Sequence, residues 1–152
     1  MTASLLFRRS VLPRGNRVVF NHSLTTSTEI VSAHGDIDAT NADAFTEYAL
    51  GDATGRRAMI LDLRGVHFMG IEGFSALHRI SVSCAAADTH WAMVPGPAVS
   101  RVLAICDPEG LLPCAGTMKA AERAFGTSLT SRARPERIAA DAQTSRVTAR
   151  TA

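Results

Sequence analysis

A single acidic residue lies between two glycines where an apolar segment gives way to a helical pattern. In "HFMGIEGFSAL", Gly70 interrupts the apolar sequence, Glu72 follows, and after Gly73 the apolar residues recur at helical spacing. A helix N-terminus presents unpaired N–H groups and the positive end of the helix dipole, so it accommodates a carboxylate or a phosphate. Two interpretations are open: Glu72 is simply a favourable first-turn residue, or it lies where a partner recognises negative charge.

A second acidic residue, Asp38 in "GDID", lies where another apolar segment ends. One interpretation is that Asp38 helps to begin the helix that follows it. Thr40 or Asn41 is the predicted N-cap of that helix, because both side chains can accept a hydrogen bond from the first turn. A direct contact of Thr40 with a partner is the other possibility.

The sequence contains no motif for catalysis or for a metal or cofactor. There is no Gly-x-Ser-x-Gly elbow and no phosphate-binding loop of either common type. The histidines show neither of the usual zinc spacings; they are His22, His34, His67, His78 and His90. A cysteine-based hydrolase would need a cysteine beside a histidine and an acid, and nothing in the sequence favours that. We therefore expect a protein that is not an enzyme, with no catalytic residue, no metal and no cofactor.

The cysteines and the hydropathy indicate a cytoplasmic protein. Cys84, Cys106 and Cys114 are odd in number and stand among apolar residues, so we expect buried structural thiols in a reducing compartment. No stretch approaches the roughly 20 apolar residues that cross a bilayer. The short apolar run near the N-terminus precedes its arginines, unlike a secretory signal.

Charge is distributed unevenly along the 152 residues. The overall charge is +2, but residues 1–17 contribute +4 and residues 127–152 contribute +3, which leaves −5 for residues 18–126. The arginines of both ends are dispersed and have no aromatic neighbours on which bases would stack. We expect solvated ends and no direct binding of nucleic acid, although basic ends that do bind nucleic acid are an alternative. The predicted organisation is a flexible basic extension (1–15), a folded domain (16–126) and a disordered tail (127–152).

Alternating patterns predict an α/β fold with a mixed, mostly parallel sheet of four to five strands and about four helices. "RVVFNHSLTT" and "EIVSAHGDID" predict a hairpin, and the nearly continuous apolar run in "RRAMILDLRGVHFM" is typical of a central strand. "HWAMVPG" predicts a further strand and "LLPCAG" a short edge strand. Helices are predicted after Asn41, from Ile71 to Ala87, from Pro97, and from Thr117 to Gly126.

Three segments, in order, resemble the STAS domain of bacterial anti-sigma factor antagonists. They are "VSAHGDIDATNADAF", "MILDLRGVHFMGIEGFSAL" and "WAMVPGPAVSRVLAICDPEGLLP", and the middle one is the most specific. After its Phe-Met pair the family normally has Asp-Ser-Ser/Thr-Gly. The Ser or Thr before the glycine is phosphorylated by a partner kinase, which is itself the anti-sigma factor. Alignment of this motif on Phe68, Met69 and Gly73 places Glu72 at the phosphoacceptor position. It places Gly70 at the position of the family's aspartate.

The resemblance implies a function in protein–protein interaction. It implies that the domain binds an anti-sigma factor of the ATPase or serine kinase type and thereby regulates transcription dependent on a sigma factor. Glu72 would replace the phosphorylatable residue, so the usual switch would be absent, and the domain would be either an unregulated antagonist or a disabled one. A further possibility is that the partner has a binding site adapted to an acidic residue. The predicted partner-binding residues are Asp38, Thr40, Gly70, Ile71, Glu72, Gly73 and Ser75.

Individual residues of this set have separate expectations. Asp38 matches the acid that the family places near the phosphoacceptor turn, so the resemblance implies that it lies near Glu72, where the two carboxylates would form a concentrated negative patch. Ile71 is either an exposed contact or a core residue, and we favour the contact. Gly70 and Gly73 are expected to allow a tight turn and close packing. Ser75 lies one turn into the helix and is a possible phosphorylation site, although it is offset from the family position.

Two other functions fit the same resemblance. The domain could be a scaffold or sensor module of a regulatory assembly, which would self-associate without binding an ATPase-kinase. It could also be a STAS domain that binds a nucleotide or another small ligand.

Overall fold

The computed structural model describes residues 8–11, 18–25, 28–51 and 56–125. Five strands form one sheet in the order β1-β2-β3-β4-β5. The strands are β1 (Arg8–Val11), β2 (Val18–Leu24), β3 (Thr28–Ile37), β4 (Ala58–Met69) and β5 (His90–Pro95). The first three strands pair antiparallel, and β3, β4 and β5 pair parallel.

The helices lie on both faces of this sheet. They are α1 (Ala42–Leu50), α2 (Ile71–Ala86), α3 (Pro97–Cys106) and α4 (118–125). Within the described part of the chain this gives four helices and a mixed sheet, so the predicted α/β fold is confirmed. Parallel and antiparallel pairings are equal in number, because the N-terminal hairpin extends the parallel part by antiparallel strands.

The main core lies between one face of the sheet and α1, α2 and α3. Each helix places its apolar stripe inward, as the periodicity predicted, and the strands contribute alternate residues. Phe20 of β2 stacks on Phe45 and Tyr48 of α1, with ring centroids 5.7 and 5.2 Å apart. Fully buried side chains from the strands and α2 complete this core: Val31, Met59, Leu61, Leu63, Leu77 and Ile80.

A smaller core lies on the opposite face, beneath α4. Ala121 and Phe125 of α4 pack against Ile60 of β4 and Val94 of β5. Because β4 is covered on both faces, its sequence is almost continuously apolar, as predicted for a central strand.

Arg56 fixes the end of α1 against the sheet. Its guanidinium donates to the carbonyl oxygens of Ala49 and Leu50, both at 2.8 Å, and pairs with Glu29. The arginine therefore satisfies carbonyl groups that the helix leaves unpaired at its C-terminus. Its side chain is 5% exposed.

Two segments differ from their sequence predictions, and a third is not described. Residues 8–11, assigned to the basic extension, form β1, which pairs with β2 and covers its otherwise unpaired backbone edge. "LLPCAG" forms one bridge, Met93 to Cys114, instead of a regular strand. The tail 127–152 lies outside the described residues.

The prediction of buried thiols was correct for Cys84 and wrong for Cys114. Cys84 is buried, Cys106 is half-buried and Cys114 is exposed. Cys114 follows Pro113 in the segment that touches the sheet edge through a single bridge.

Candidate partner-binding site

The parallel pairing of β3 and β4 brings the two acidic segments to the same edge of the sheet. Ile37 pairs with Met69 at the strand ends, and the N–H of Gly70 donates to the carbonyl oxygen of Ile37 at 2.9 Å. Asp38 and Gly70, the next residue of each strand, are therefore neighbours. The structure thus joins the turn that carries Glu72 to the loop that carries Asp38.

Helix α2 begins at this edge and presents Glu72 to solvent. Gly70 is the N-cap, and it provides no side-chain cap. The N–H of Gly73 donates to the Gly70 carbonyl oxygen at 3.0 Å, which closes the first turn. Glu72 lies in that turn and is exposed, so its carboxylate is available to a partner at the positive end of the helix dipole.

Close packing at Gly73 holds the start of α2 against the strand ends. A Cβ at Gly73 would lie 2.6 Å from Met69 Cγ and 3.2 Å from Ile37 Cγ2. These distances are shorter than van der Waals contact, so a side chain at residue 73 would force Met69 to repack or α2 to move outward. The close packing expected of Gly73 is therefore present.

Two large apolar side chains are exposed beside this turn. Ile71 is 72% exposed, as expected of a contact residue, and Phe68 is 54% exposed. Sequence reasoning used Phe68 only to align the motif and missed it as a surface residue. The register of β3 against β4 shifts between Gly35 and Asp36, so regular alternation does not predict which residue faces outward there.

The loop at Asp38 is fixed by hydrogen bonds within the loop. The Asp38 carboxylate accepts from both the N–H and the hydroxyl of Thr40. The hydroxyl bond, followed by the N–H bond, holds the pKa of Asp38 below its ordinary value, because both stabilise the charged form. Asp38 is therefore an anion held in a defined position at the rim.

Asn41 supports this loop from beneath, a role that sequence reasoning missed. Its position is the N-cap of α1, as predicted, but its side chain does not cap the helix. The side chain is buried, accepts from the Asp38 N–H at 3.0 Å and donates to the Asp36 carbonyl oxygen at 2.9 Å. A rule for local capping does not predict bonds that depend on how the chain enters from β3.

Beyond the first turn, α2 continues the exposed surface. Ser75 is exposed one turn after Ile71 and Glu72. Arg79, a further turn along, donates to the Asp43 carboxylate of α1 at 2.8 Å. This exposed ion pair joins the two helices that border the site.

Neither a metal site nor a membrane span is found in the described residues. No group of three His, Cys, Asp or Glu side chains there is placed to hold a metal ion. No helix in the same ranges has the length and apolar character needed to cross a membrane.

Comparison with known proteins assigns the family. The fold is a mixed sheet with three helices on one face and one on the other, and the model of the STAS domain matches residues 22–121. The chain therefore belongs to the STAS domain family.

Individual relatives agree with this assignment. The chain is 37% identical over 83 residues to osmosensory protein A of Mycobacterium tuberculosis. The matched segment covers 54% of this chain and 50% of that protein. It thus spans about half the length of this curated relative. An anti-sigma factor antagonist from Mycobacterium paratuberculosis has a TM-score of 0.66 at 23% identity, covering 75% of this chain and 98% of that one.

A second solved structure shows the same fold. The anti-sigma factor antagonist SpoIIAA in its unphosphorylated form has a TM-score of 0.57 at 16% identity, covering 70% of this chain and 96% of that one. At these identities both structures establish the fold alone.

Proposed function

We propose that this STAS domain is a protein-interaction module that binds an anti-sigma factor of the ATPase-kinase type. Binding would sequester the anti-sigma factor and release its sigma factor, so transcription would change without contact to DNA. The observation that carries the proposal is the exposed Glu72 in the first turn of α2. The resemblance to the family motif would put this residue at the phosphoacceptor position. The solved antagonists with this fold support it.

The proposed contact surface combines charge with apolar area. It consists of the turn 70–73, the exposed face of α2 including Ser75, and the loop of Asp38 and Thr40. Ile71 supplies exposed apolar area, and Glu72 and Asp38 supply negative charge. A partner that fits this surface has an apolar depression beside a hydrogen-bond donor or a cation.

Glu72 fixes the charge state of this surface. A carboxylate has one charge and two oxygens, whereas a phosphate has about −1.5 to −2 charges and three acceptor oxygens. Glu72 therefore provides a permanent anion that no kinase can add or remove. Its function in the cytoplasm would not depend on phosphorylation of residue 72.

Affinity capture tests this function with a matched pair of variants. Ile71 and Ile105 are both exposed helix residues, at 72% and 81%, and lie on different helices. We expect the wild type and Ile105→Lys to capture an ATPase-kinase from bacterial lysate, and Ile71→Lys to lose it. Equal capture by both variants, or no ATPase-kinase in any eluate, would refute the proposed surface or the proposed class of partner.

Phosphoryl transfer gives a second readout. On incubation of the captured kinase with ATP, Glu72→Ser should become phosphorylated at residue 72, because the introduced hydroxyl occupies the acceptor position. Wild type provides the control, since it has no hydroxyl there. Absence of phosphate from the bound Glu72→Ser protein would show that residue 72 does not reach the kinase active site.

A sensor or scaffold module in a regulatory assembly is the second candidate. The observation that favours it is the similarity to a protein named for osmosensing. Self-association of the purified domain, measured by sedimentation, together with absence of an ATPase-kinase from the capture, would support this candidate over the first.

A further inference from the structure

Gly70 has a backbone conformation that any residue can adopt. Its φ of −79° and ψ of 175° are ordinary extended values. The turn therefore does not need a glycine for conformational reasons, contrary to the expectation from the sequence. Gly35 and Gly110, by comparison, have φ values of 114° and 68°, where glycine is favoured.

Backbone packing does not explain Gly70 either. A Cβ at this position would lie 3.8 Å from the Asp38 Cα and 3.8 Å from the Ile37 carbonyl oxygen, which is ordinary contact. Gly73 differs, because its Cβ would collide with two buried side chains. The strand ends thus leave room for a side chain at residue 70.

The one close neighbour of that space is the carboxylate of Glu72. Its Oε2 atom lies 2.8 Å from the position of a Gly70 Cβ. The carboxylate is therefore folded back over Gly70 and occupies volume that a side chain at residue 70 would need. Within the described residues, the one close contact of a Cβ at residue 70 is with this carboxylate, and glycine is also preferred over alanine at an N-cap.

We propose that Gly70 is a positioning residue that determines where Glu72 holds its negative charge. Without a side chain at residue 70, the carboxylate lies over the turn at Gly70. This position of the Glu72 carboxylate is inferred from the geometry alone. The consequence rests on the proposed function: Gly70 would set the specificity of the surface for a partner.

Two substitutions separate the position of the charge from its presence. Gly70→Ala retains the charge but displaces the carboxylate, because the new Cβ takes its place. Glu72→Gln retains the side-chain length but removes the charge. Gly116→Ala is the matched control, since a Cβ at Gly116 has no described atom within 4 Å.

Nuclear magnetic resonance of the free protein tests the placement. In the wild type we expect nuclear Overhauser effects between the Glu72 γ protons and the Gly70 α protons, with couplings of one dominant rotamer. In Gly70→Ala the rotamer should change, and the urea midpoint should fall less than in Gly73→Ala, because alanine at residue 70 is only a poorer N-cap than glycine. Absence of these nuclear Overhauser effects in the wild type would overturn the inference, and so would an unchanged Glu72 rotamer in Gly70→Ala. A urea midpoint of Gly70→Ala as low as that of Gly73→Ala would also overturn it.

Binding to a purified ATPase-kinase anti-sigma factor tests the consequence. Gly70→Ala should change the Kd roughly two- to fivefold, the range of a partly exposed ion pair, and should have no such effect when combined with Glu72→Gln. An equal effect in both backgrounds would overturn a role through Glu72. Equal Kd for wild type and Glu72→Gln, with the rotamer result intact, would instead refute recognition of charge in the proposed function.

Discussion

The N–H of Gly70 donates to the carbonyl oxygen of Ile37 at 2.9 Å, so the turn after β4 is tied to the end of β3. This bond places residues more than thirty positions apart in one surface, with Asp38 on one side and Glu72 on the other. The surface depends on the parallel register of the two strands, since a shift by one residue would turn the side chains to the other face.

Replacing Gly73 with alanine should lower the free energy of unfolding by about 1–3 kcal/mol, the usual cost of overpacking. The added Cβ would lie 2.6 Å from Met69 Cγ, so α2 must move outward or Met69 must repack. Better helix propensity offsets at most about 1 kcal/mol of this. Urea denaturation measures the change, with Gly116→Ala as the control. Equal stability of the two variants would contradict the close packing.

Asn41→Ala should destabilise the protein by about 1–3 kcal/mol, because the Asp38 N–H and the Asp36 carbonyl oxygen lose a buried partner. Asn41→Asp is the informative second variant: it keeps an acceptor for the Asp38 N–H but has no donor for Asp36. We expect faster hydrogen exchange at the Asp38 amide in Asn41→Ala. A change in stability below about 0.5 kcal/mol, as for ordinary surface substitutions, would show that the loop is not held by Asn41.

Thr40→Val should raise the pKa of Asp38 towards its ordinary value, because the hydroxyl bond that stabilises the carboxylate is removed. The sign for stability follows from linkage. A carboxyl whose pKa is lower in the folded protein stabilises the fold above about pH 4, and this contribution is lost as the pH falls through the lowered pKa. Titration of the Asp38 carboxyl carbon by magnetic resonance measures the shift. An identical midpoint in wild type and Thr40→Val would refute the assigned cause.

Patterns along the chain predicted the elements that have long, regular periodicity. The helix α2, its start after Gly70 and the buried strand β4 follow from apolar spacing and a glycine break, and the structure has them within a residue or two. The strand β1 was missed, because "RRSV" has no alternation and gains its pairing only from β2. Local patterns do not contain that tertiary information.

The position of the candidate site in the fold was predicted better than the contacts that support it. The family resemblance implied that Asp38 lies near the turn 70–73, and the parallel pairing of β3 with β4 makes Asp38 and Gly70 neighbours. The roles of Asn41 and Phe68 depend on how the chain leaves β3 and β4 at an irregular register. The dihedral angles of Gly70 are ordinary for any residue, so the rule that glycine allows a tight turn does not apply at this position.

The most direct test of the central claim is the Kd of a purified ATPase-kinase anti-sigma factor for wild type and Glu72→Gln. Glu122→Gln is the control, since Glu122 is exposed on α4, which packs on the opposite face of the sheet. We predict a change of at least about twofold for Glu72→Gln, within the range of exposed ion pairs, and none for Glu122→Gln. Weaker binding would show a partner that accepts the acid, and tighter binding a partner that rejects it. Identical Kd values for all three proteins would contradict the claim that a partner recognises the charge at residue 72.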